Sequence, residues 1–198
     1  MGFGVKYDVA FVHIPKNAGV SIRSMLGPWD WGGIHLTARE LRSVGPGRWD
    51  RYFKISVVRN PWDRMVSFYS YCKTRNKYRY EERAQEVDFE TWIVDIYENQ
   101  LFKDDEEHAK NWAQFYAHDQ LQWIVDENKK IIVDYVMRFE NLDYDWKVIQ
   151  KRFNAGPLPK KNTTRHDNYQ DYYSDNTREL VRKAFEEDIE YFSYQFSN

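Results

Sequence analysis

The segment with the clearest chemical potential spans residues 11–26 and reads FVHIPKNAGVSIRSML. It passes from an apolar run through a Pro-Lys turn into small residues and then into a predicted helix. The first amides of a helix have no partner inside it and carry a partial positive charge, so this arrangement directs N–H groups at an anion. Lys16 adds a mobile full charge and Ser21 a hydroxyl, while Ala18 and Gly19 leave room for close approach. The segment predicts a local anion site, although a purely structural strand-to-helix turn can have the same sequence.

The order of residues separates this segment from the loops that bind nucleoside triphosphates for phosphoryl transfer. Those loops read GxxxxGK followed by Ser or Thr, which places the hydroxyl on a magnesium ion and the lysine on the outer phosphates. Here Lys16 precedes the glycine, and no Asp stands in a Walker-type position after the second predicted strand, which ends in Arg59. A nucleotide kinase therefore lacks its metal site in this sequence. It stays open as an alternative that predicts magnesium-dependent ATP binding.

A second candidate motif, VVRNPWDRMVSFY, occupies residues 57–69. Arg59 stands at the carboxyl end of a predicted strand, and Ser67 follows on the next helix, roughly 10 Å along its axis. An extended guanidinium can cross much of that distance, so both side chains can meet one phosphate. The arginine would do so through a charge-assisted fork and the serine through its hydroxyl. Taken alone, Ser67 would rather indicate close packing of the helix on the sheet.

The elements that must position these motifs alternate along the chain. β-branched and aromatic runs predict strands, and capping signals with apolar periodicity predict helices. The predicted strands are residues 7–13, 53–58 and 131–139. The predicted helices are residues 20–26, a short helix from 37, 61 to about 73 with Asn60 as its cap, 88–97, 108–117, 142–153 and 176–192. Such alternation favours an α/β fold with a central parallel sheet, whose ligand binds at the carboxyl ends of the strands.

Length and composition limit the possible functions. A chain of 198 residues can bury one sizeable core, and we expect a single domain over residues 1–198. The formal net charge of -2 gives no protein-wide positive field for nucleic acid or anionic membranes, so any anion site must be local. Cys72 is the single cysteine, which excludes an intrachain disulfide. Without an apolar run of about 18 residues or a signal-peptide layout, the chain is expected to be soluble and cytoplasmic, or lumenal in the Golgi if it is an excised domain.

Taken together, HIPKNAGVS and VVRNPWDRMVSFY resemble the 5′-phosphosulfate loop and the 3′-phosphate motif of the sulfotransferases that use 3′-phosphoadenosine 5′-phosphosulfate (PAPS). The similarity is greatest to the carbohydrate sulfotransferase branch, whose first motif reads HIPKTGGTS. It extends to MRFENL at residues 137–142 and to DIEYFSYQF at residues 188–196, and so covers nearly the whole chain. This sequence departs from the branch at Asn17-Ala18, where Thr-Gly is usual, and at Val20, where Thr is usual.

The resemblance implies a P-loop-NTPase-like α/β fold, with a central parallel sheet flanked by helices and no catalytic metal. It also implies that the protein moves the sulfuryl group of PAPS to an acceptor hydroxyl or amine, with 3′-phosphoadenosine 5′-phosphate (PAP) as product. Lys16 would contact the 5′-phosphate and the bridging oxygen and neutralise charge on the leaving group, while Arg59 and Ser67 would hold the 3′-phosphate. The other donor contacts carried over by position are Asn17, Ala18, Gly19, Val20 and Ser21 at the 5′ end and, in a late loop over the adenosine, Lys161, Asn162 and Thr163.

The acceptor hydroxyl must lose a proton as it attacks sulfur, and a side chain that titrates near neutrality suits that step. Among five histidines, His35 lies in a loop between the first two predicted helices. Related glycan sulfotransferases use a histidine in a comparable segment, so His35 is the predicted base and Glu40 the second choice. His13 is expected to pack or to shape the turn. The other three histidines, predicted beside a surface helix or in the late loop, are His108, His118 and His166.

The acceptor is expected to be a glycan or another hydroxyl-bearing molecule. Residues 73–83, KTRNKYRYEER, interleave cations with tyrosines. That composition can receive an anionic glycan, but it is also typical of a solvated helix surface. A non-catalytic PAP- or glycan-binding protein of the same fold remains an alternative, and the presence of Lys16 and His35 counts against it.

Overall fold

The computed structural model describes residues 2–30, 35–99, 101, 116–117, 119–159 and 168–196. The chain forms two compact units. The first unit comprises residues 1–59 and 120–163, and the second unit comprises residues 60–119 and 164–198. The expectation of a single sulfotransferase domain over residues 1–198 stays a prediction.

Strands and helices alternate in the order that the sequence patterns indicate. In chain order, the strands are β1 (Phe3–Gly4), β2 (Val9–Val12), β3 (Phe53–Val58) and β4 (Tyr135–Arg138). The described helices are α1 (Gly19–Leu26), α2 (Ala38–Val44), α3 (Pro46–Arg51), α4 (Pro61–Cys72), α5 (Arg79–Glu86), α6 (Phe89–Tyr97), α7 (Leu142–Phe153), α8 (Asp175–Ala184) and α9 (Glu186–Phe192). Short 3-10 turns occupy Leu121–Trp123, Phe139–Asn141 and Tyr169–Tyr172.

The first unit is organised by one sheet with the strand order β1, β2, β3, β4. β1 runs antiparallel to β2, whereas β2, β3 and β4 are parallel, with Val12 beside Ser56 and Val58 beside Arg138. Because parallel strands end at the same edge of a sheet, the segments that follow β2 and β3 emerge side by side. The structure confirms the predicted α/β class with a central, mainly parallel sheet flanked by helices.

The core of the first unit lies between this sheet and two helices. Phe11, Ile55 and Met137 of the strands pack with Ile22 of α1 and Trp146 of α7, and each of these side chains is at most 1% exposed. Full burial of one such side chain contributes about 1.5 to 3 kcal/mol. This packing fixes α1, and with it the end of the loop that precedes it, against β2 and β3.

The second unit is built around α4 in its described part. Phe68 stacks on Tyr116 with ring centroids 4.2 Å apart. Trp62 donates from Nε1 to the carbonyl of Arg178 in α8 at 3.0 Å, and the hydroxyl of Tyr173 donates to the carbonyl of Trp62 at 2.9 Å. Helix α4 is therefore held by aromatic packing and by hydrogen bonds with the C-terminal segment.

The capping signals of the sequence coincide with observed helix starts. Thr37 and Glu40 form a reciprocal capping box at α2. Asn60 accepts a hydrogen bond from an early amide of α4, and Pro61 is the first residue of that helix. These starts are determined by contacts within a few residues, which is why the sequence pattern is sufficient to locate them.

Strand lengths differ from the prediction. Within residues 7–13 only Val9–Val12 form β2, because Asp8 adopts a left-handed φ of 48°. Within residues 131–139 only Tyr135–Arg138 form β4, and the predicted helix over 176–192 is divided at Phe185 into α8 and α9. The short edge strand β1 and helices α3 and α5 are additional to the prediction.

Candidate active site

The loop between β2 and α1 has a backbone shape that suits an anion. Lys16 and Ala18 both adopt the left-handed region, with φ of 70° and 57°. This conformation costs about 1 to 2 kcal/mol for a residue other than glycine. Alternation of such residues with ordinary turn residues forms concave nests of N–H groups, which bind anions. Two strained residues this close together point to a functional constraint on the loop.

Helix α1 begins directly after this loop, with Ala18 as its N-cap residue. The amide of Ile22 donates to the carbonyl of Ala18 at 3.2 Å and so makes the first bond of the helix. The three amides before Ile22 have no acceptor inside α1. Since the methyl group of Ala18 cannot cap them, an anion at this point would take the place of a capping side chain.

Gly19 has a packing role that its sequence position does not reveal. A Cβ atom on Gly19 would lie 1.7 Å from Nε2 and 2.0 Å from Cδ2 of His13. The imidazole ring of His13 therefore lies directly on the glycine backbone. Close approach of this ring, in addition to approach of an anion, requires the absence of a side chain at position 19.

His13 and His35 form a pair of adjacent rings in the first unit. Their centroids are 4.4 Å apart, and Trp123 lies edge-on to His35 at 6.4 Å. Nδ1 of His35 is 3.1 Å from the carbonyl oxygen of His13. Because a carbonyl oxygen only accepts, Nδ1 carries the proton, and Nε2 is the basic nitrogen of the neutral ring. The backbone thus fixes one tautomer of His35.

Burial keeps both imidazoles neutral near pH 7. Burial lowers the pKa of His35 below its ordinary value, although the hydrogen bond to the His13 backbone partly raises it. The pKa of His13 is lowered well below its ordinary value, first by burial and then by the neighbouring His35. Among the described residues, Nδ1 of His13 finds no hydrogen-bond partner. A neutral His35 of fixed tautomer has the properties of a general base.

Glu40, the second choice for the base, has a structural role. Its Oε2 accepts hydrogen bonds from the N–H of Thr37 at 2.7 Å and from the hydroxyl of Thr37 at 2.8 Å. Both bonds belong to the capping box at the start of α2. These bonds favour His35 over Glu40 as the base.

A buried network of amides ties the loop to the end of β3. Nδ2 of Asn17 donates to the carbonyl of Val57 at 2.8 Å and to Oε1 of Gln120 at 2.7 Å. The same Oε1 accepts from the N–H of Arg59 at 2.9 Å, and Nε2 of Gln120 donates to the carbonyl of Arg59 at 2.7 Å. Gln120 therefore brackets the backbone of Arg59 and reaches the loop through Asn17.

The side chain of Arg59 also contacts the loop. Its Nη1 donates to the carbonyl of Lys16 at 3.0 Å, and its guanidinium lies over the ring of Phe139 at 4.0 Å. The residue is 5% exposed. The structure thus brings the lysine of the first motif and the arginine of the second motif together at the carboxyl ends of β2 and β3.

Other predicted site residues lie outside the first unit or outside the described residues. Ser67 lies on α4 in the second unit and is 2% exposed, whereas Arg59 belongs to the first unit. A joint role of the two residues at one phosphate stays a prediction. The described residues do not include the late-loop candidates or three of the histidines, namely Lys161, Asn162, Thr163, His108, His118 and His166.

Gln120 and Phe139 are site residues that sequence reasoning missed. Gln120 stands 61 residues from Arg59 along the chain, and a single glutamine outside any motif carries no local signal. Phe139 falls within MRFENL, a segment that contributes to the family resemblance. That segment could have indicated Phe139, whereas only the fold reveals Gln120.

The basic and tyrosine-rich residues 73–83 connect α4 with the first part of α5. Residues 73–77 are all exposed. Arg75 lies over the ring of Tyr71 at 4.7 Å, and Lys77 lies over the ring of Tyr78 at 5.0 Å. The cations Lys73, Arg75 and Lys77 are therefore open to solvent, and their contact with a glycan stays a prediction.

A model of the sulfotransferase family matches residues 36–195, about four-fifths of the chain. The chain belongs to the sulfotransferase family. The matched range includes Arg59, Ser67 and Gln120. It begins one residue after His35 and does not include the loop of Lys16. A relative of this sulfotransferase, an uncharacterized protein from Archaeoglobus fulgidus, is 30% identical over 131 residues, which cover 64% of this chain and 89% of that protein.

Two further observations concern the described part of this sulfotransferase. No helix there is both long enough and apolar enough to cross a membrane. The same residues include no group of three His, Cys, Asp or Glu side chains arranged to hold a metal ion.

Proposed function

We propose that this sulfotransferase moves the sulfuryl group of PAPS to a hydroxyl of a carbohydrate acceptor and releases PAP. The observation that carries the proposal is the hydrogen bond between Arg59 and the carbonyl of Lys16. It joins a loop shaped for one anion to an arginine suited to a second anion. PAPS carries charge at its 5′ and 3′ positions, so it needs two such groups close together.

The 5′ end of the donor would lie against residues 16–21. The amides at the start of α1 would hold the 5′-phosphate, and Lys16 would add a full positive charge. Arg59 would contact the 3′-phosphate through its fork of N–H donors, with its plane held by Phe139. From the resemblance, the proposal also keeps the hydroxyl of Ser67 at the 3′-phosphate and residues 161–163 over the adenosine.

The transfer step requires a base, an electrophilic sulfur and a stabilised leaving group. The acceptor oxygen attacks sulfur, the bond between sulfur and the bridging oxygen breaks, and the electron pair of that bond stays on the 5′-phosphate of PAP. Lys16 would neutralise this developing charge. The proton of the acceptor hydroxyl would pass to Nε2 of His35, the nitrogen that the hydrogen bond at Nδ1 leaves unprotonated.

Two observations support a carbohydrate acceptor. HIPKNAGVS resembles the loop of the carbohydrate branch, and residues 73–77 present exposed cations, two of them over tyrosine rings. Aromatic rings stack on sugar faces, and cations contact carboxylate or sulfate groups. The exposed cations suit a glycan that already carries negative charge.

Isothermal titration with PAP in the absence of magnesium tests the donor, and transfer of labelled sulfate from PAPS to a panel of glycans tests the reaction. We expect PAP to bind without magnesium and at least one glycan hydroxyl to accept sulfate. PAP binding without transfer to any acceptor would support the non-catalytic binding protein. Magnesium-dependent binding of ATP, with no affinity for PAP, would support the nucleotide kinase.

A further inference from the structure

The side-chain amide of Gln120 takes the place of a backbone partner at the end of β3. It accepts from the N–H and donates to the carbonyl of one residue, Arg59, at 2.9 and 2.7 Å. Within a sheet, a neighbouring strand supplies such paired bonds. Strand β3 ends at Val58, so a side chain from a distant part of the chain holds the next residue instead.

The orientation of both amides in this network is determined by backbone groups. Nε2 of Gln120 must face the carbonyl of Arg59 and Oε1 must face its N–H, so Gln120 presents an acceptor to Asn17. Nδ2 of Asn17 donates to that acceptor and to the carbonyl of Val57. Rotation of either amide by 180° would place an acceptor opposite an acceptor or a donor opposite a donor. The network therefore has one hydrogen-bonded arrangement.

Burial makes this arrangement costly to disturb. Gln120 is 0%, Asn17 1% and Arg59 5% exposed. Water cannot readily replace a hydrogen bond at such a depth, so loss of one partner leaves the others unsatisfied. Removal of the Gln120 amide would therefore affect the backbone of Arg59 and the side chain of Asn17 together.

We propose that Gln120 is a positioning residue of the donor site, which holds Arg59 in register with the loop of residues 16–21. The inference rests on the proposed function, because Arg59 and this loop are the two phosphate contacts proposed there. Gln120 contacts neither donor nor acceptor in this scheme. It acts through the backbone of Arg59 and through the side chain of Asn17.

The test compares the affinity for PAP with the affinity for adenosine 5′-monophosphate, which lacks the 3′-phosphate. The ratio of the two affinities isolates the contacts of the 3′-phosphate, among which Arg59 supplies the positive charge. Gln120→Ala is expected to lower this ratio on the order of tenfold, the usual effect of disturbing a buried hydrogen bond to a charged group. Asn17→Ala removes the bonds from the loop to Gln120 and to the carbonyl of Val57, but it leaves both bonds between Gln120 and Arg59. It is therefore expected to weaken both nucleotides to a similar extent.

A matched control is Gln170→Ala in the second unit, where Nε2 of Gln170 donates to the carbonyl of Phe196 at 3.3 Å. This variant also replaces a glutamine whose amide donates to a backbone carbonyl. It is expected to leave the affinities for PAP and for adenosine 5′-monophosphate unchanged. On an Arg59→Ala background, Gln120→Ala should lower the ratio no further, because the residue acts through Arg59.

Gln120→Glu gives a readout that general loss of structure would not produce. The introduced carboxyl keeps the acceptor, but it can donate to the carbonyl of Arg59 only in its protonated form. Burial raises the pKa of a carboxyl. Relative to the native chain at the same pH, the affinity ratio of this variant should therefore recover as the pH falls from about 8 to about 5.5.

The possible results separate the inference from the proposed function. An unchanged ratio in folded Gln120→Ala, or a ratio in Gln120→Glu that does not follow pH, would overturn the positioning role while PAP binding by the native chain stands. If the alanine variant does not fold, the pH series decides. Failure of the native chain to bind PAP would refute the proposed function itself.

Discussion

Gly19→Ala would test the contact by which the anion loop and the predicted base are connected. The added Cβ would lie 1.7 Å from Nε2 of His13, whereas real contacts of this kind begin at about 3.0 Å. The ring would have to move by more than 1 Å. It cannot do so freely, because Phe11 lies at 5.5 Å and His35 at 4.4 Å between ring centroids.

Two effects of this substitution are expected. Forcing an extra methyl group into a filled site costs about 1 to 3 kcal/mol, so the free energy of unfolding should fall by that amount. His35 packs on the displaced ring and is bonded to the carbonyl of the same residue, His13, so the base should move as well. A displacement of about 1 Å can lower the rate on the order of a hundredfold.

The assay measures urea denaturation and turnover of PAPS for Gly19→Ala beside Gly47→Ala. Gly47 lies in α3, and no described atom would be within 4 Å of a Cβ added there. Its substitution should stabilise the helix by roughly 0.5 to 1 kcal/mol and leave turnover unchanged. If Gly19→Ala behaved like Gly47→Ala in both measurements, the proposed coupling through His13 would be wrong.

The remaining predictions concern the base, the loop and a half-buried carboxyl group. His35→Ala should abolish turnover and retain PAP binding by calorimetry, and retained turnover would remove His35 from the mechanism. Because burial lowers the pKa of His35, kcat/KM of the native chain should stay constant near neutrality and decline only below about pH 6.5. Ala18→Gly relieves a left-handed backbone and should raise the free energy of unfolding in urea by roughly 0.5 to 1 kcal/mol, so a decrease would argue against strain at this position. Burial and the charge of Asp188 raise the pKa of Asp119 from 3.8 to about 6, so the folded chain holds a proton on this carboxyl more tightly than the unfolded chain does. The stability that this proton contributes is present at low pH and is lost as the pH rises through about 6. Asp119→Asn should therefore raise the thermal midpoint more at pH 8 than at pH 4, and an equal shift at both would contradict the assignment.

The sequence predicts best those features that depend on neighbouring residues. The starts of α2 and α4 follow from the capping box of Thr37 and Glu40 and from the Asn60-Pro61 pair, and the structure has both. Strand ends depend instead on pairing with distant strands. The four residues of β2 are those that pair with residues 53–56 of β3, and the pattern of residues 7–13 contains no information about that partner.

The candidate site divides in the same way. Lys16 and Arg59 stand out by residue type and by their places after two strands, so sequence reasoning finds them. Gln120 and the ring of His13 act through contacts that form only when the sheet is assembled. From the sequence, Gly19 is assigned only to close approach of a ligand. The imidazole that covers it belongs to His13, six residues earlier, and no sequence pattern indicates a contact at that spacing.

The two residues at which this loop departs from the family motif, Asn17 and Ala18, have opposite effects on its stability. A left-handed alanine costs about 1 to 2 kcal/mol, and each hydrogen bond from Asn17 contributes about 0.5 to 1.5 kcal/mol. Oδ1 of Asn17 is buried without a partner among the described residues, which offsets part of that gain. The loop therefore gains little stability from its own residues, and its shape depends on the strand and helix at its two ends. A loop held in this way keeps its amides in place before a phosphate arrives, so binding needs little reorganisation of the backbone. Electrostatic stabilisation of a leaving group requires such preorganisation.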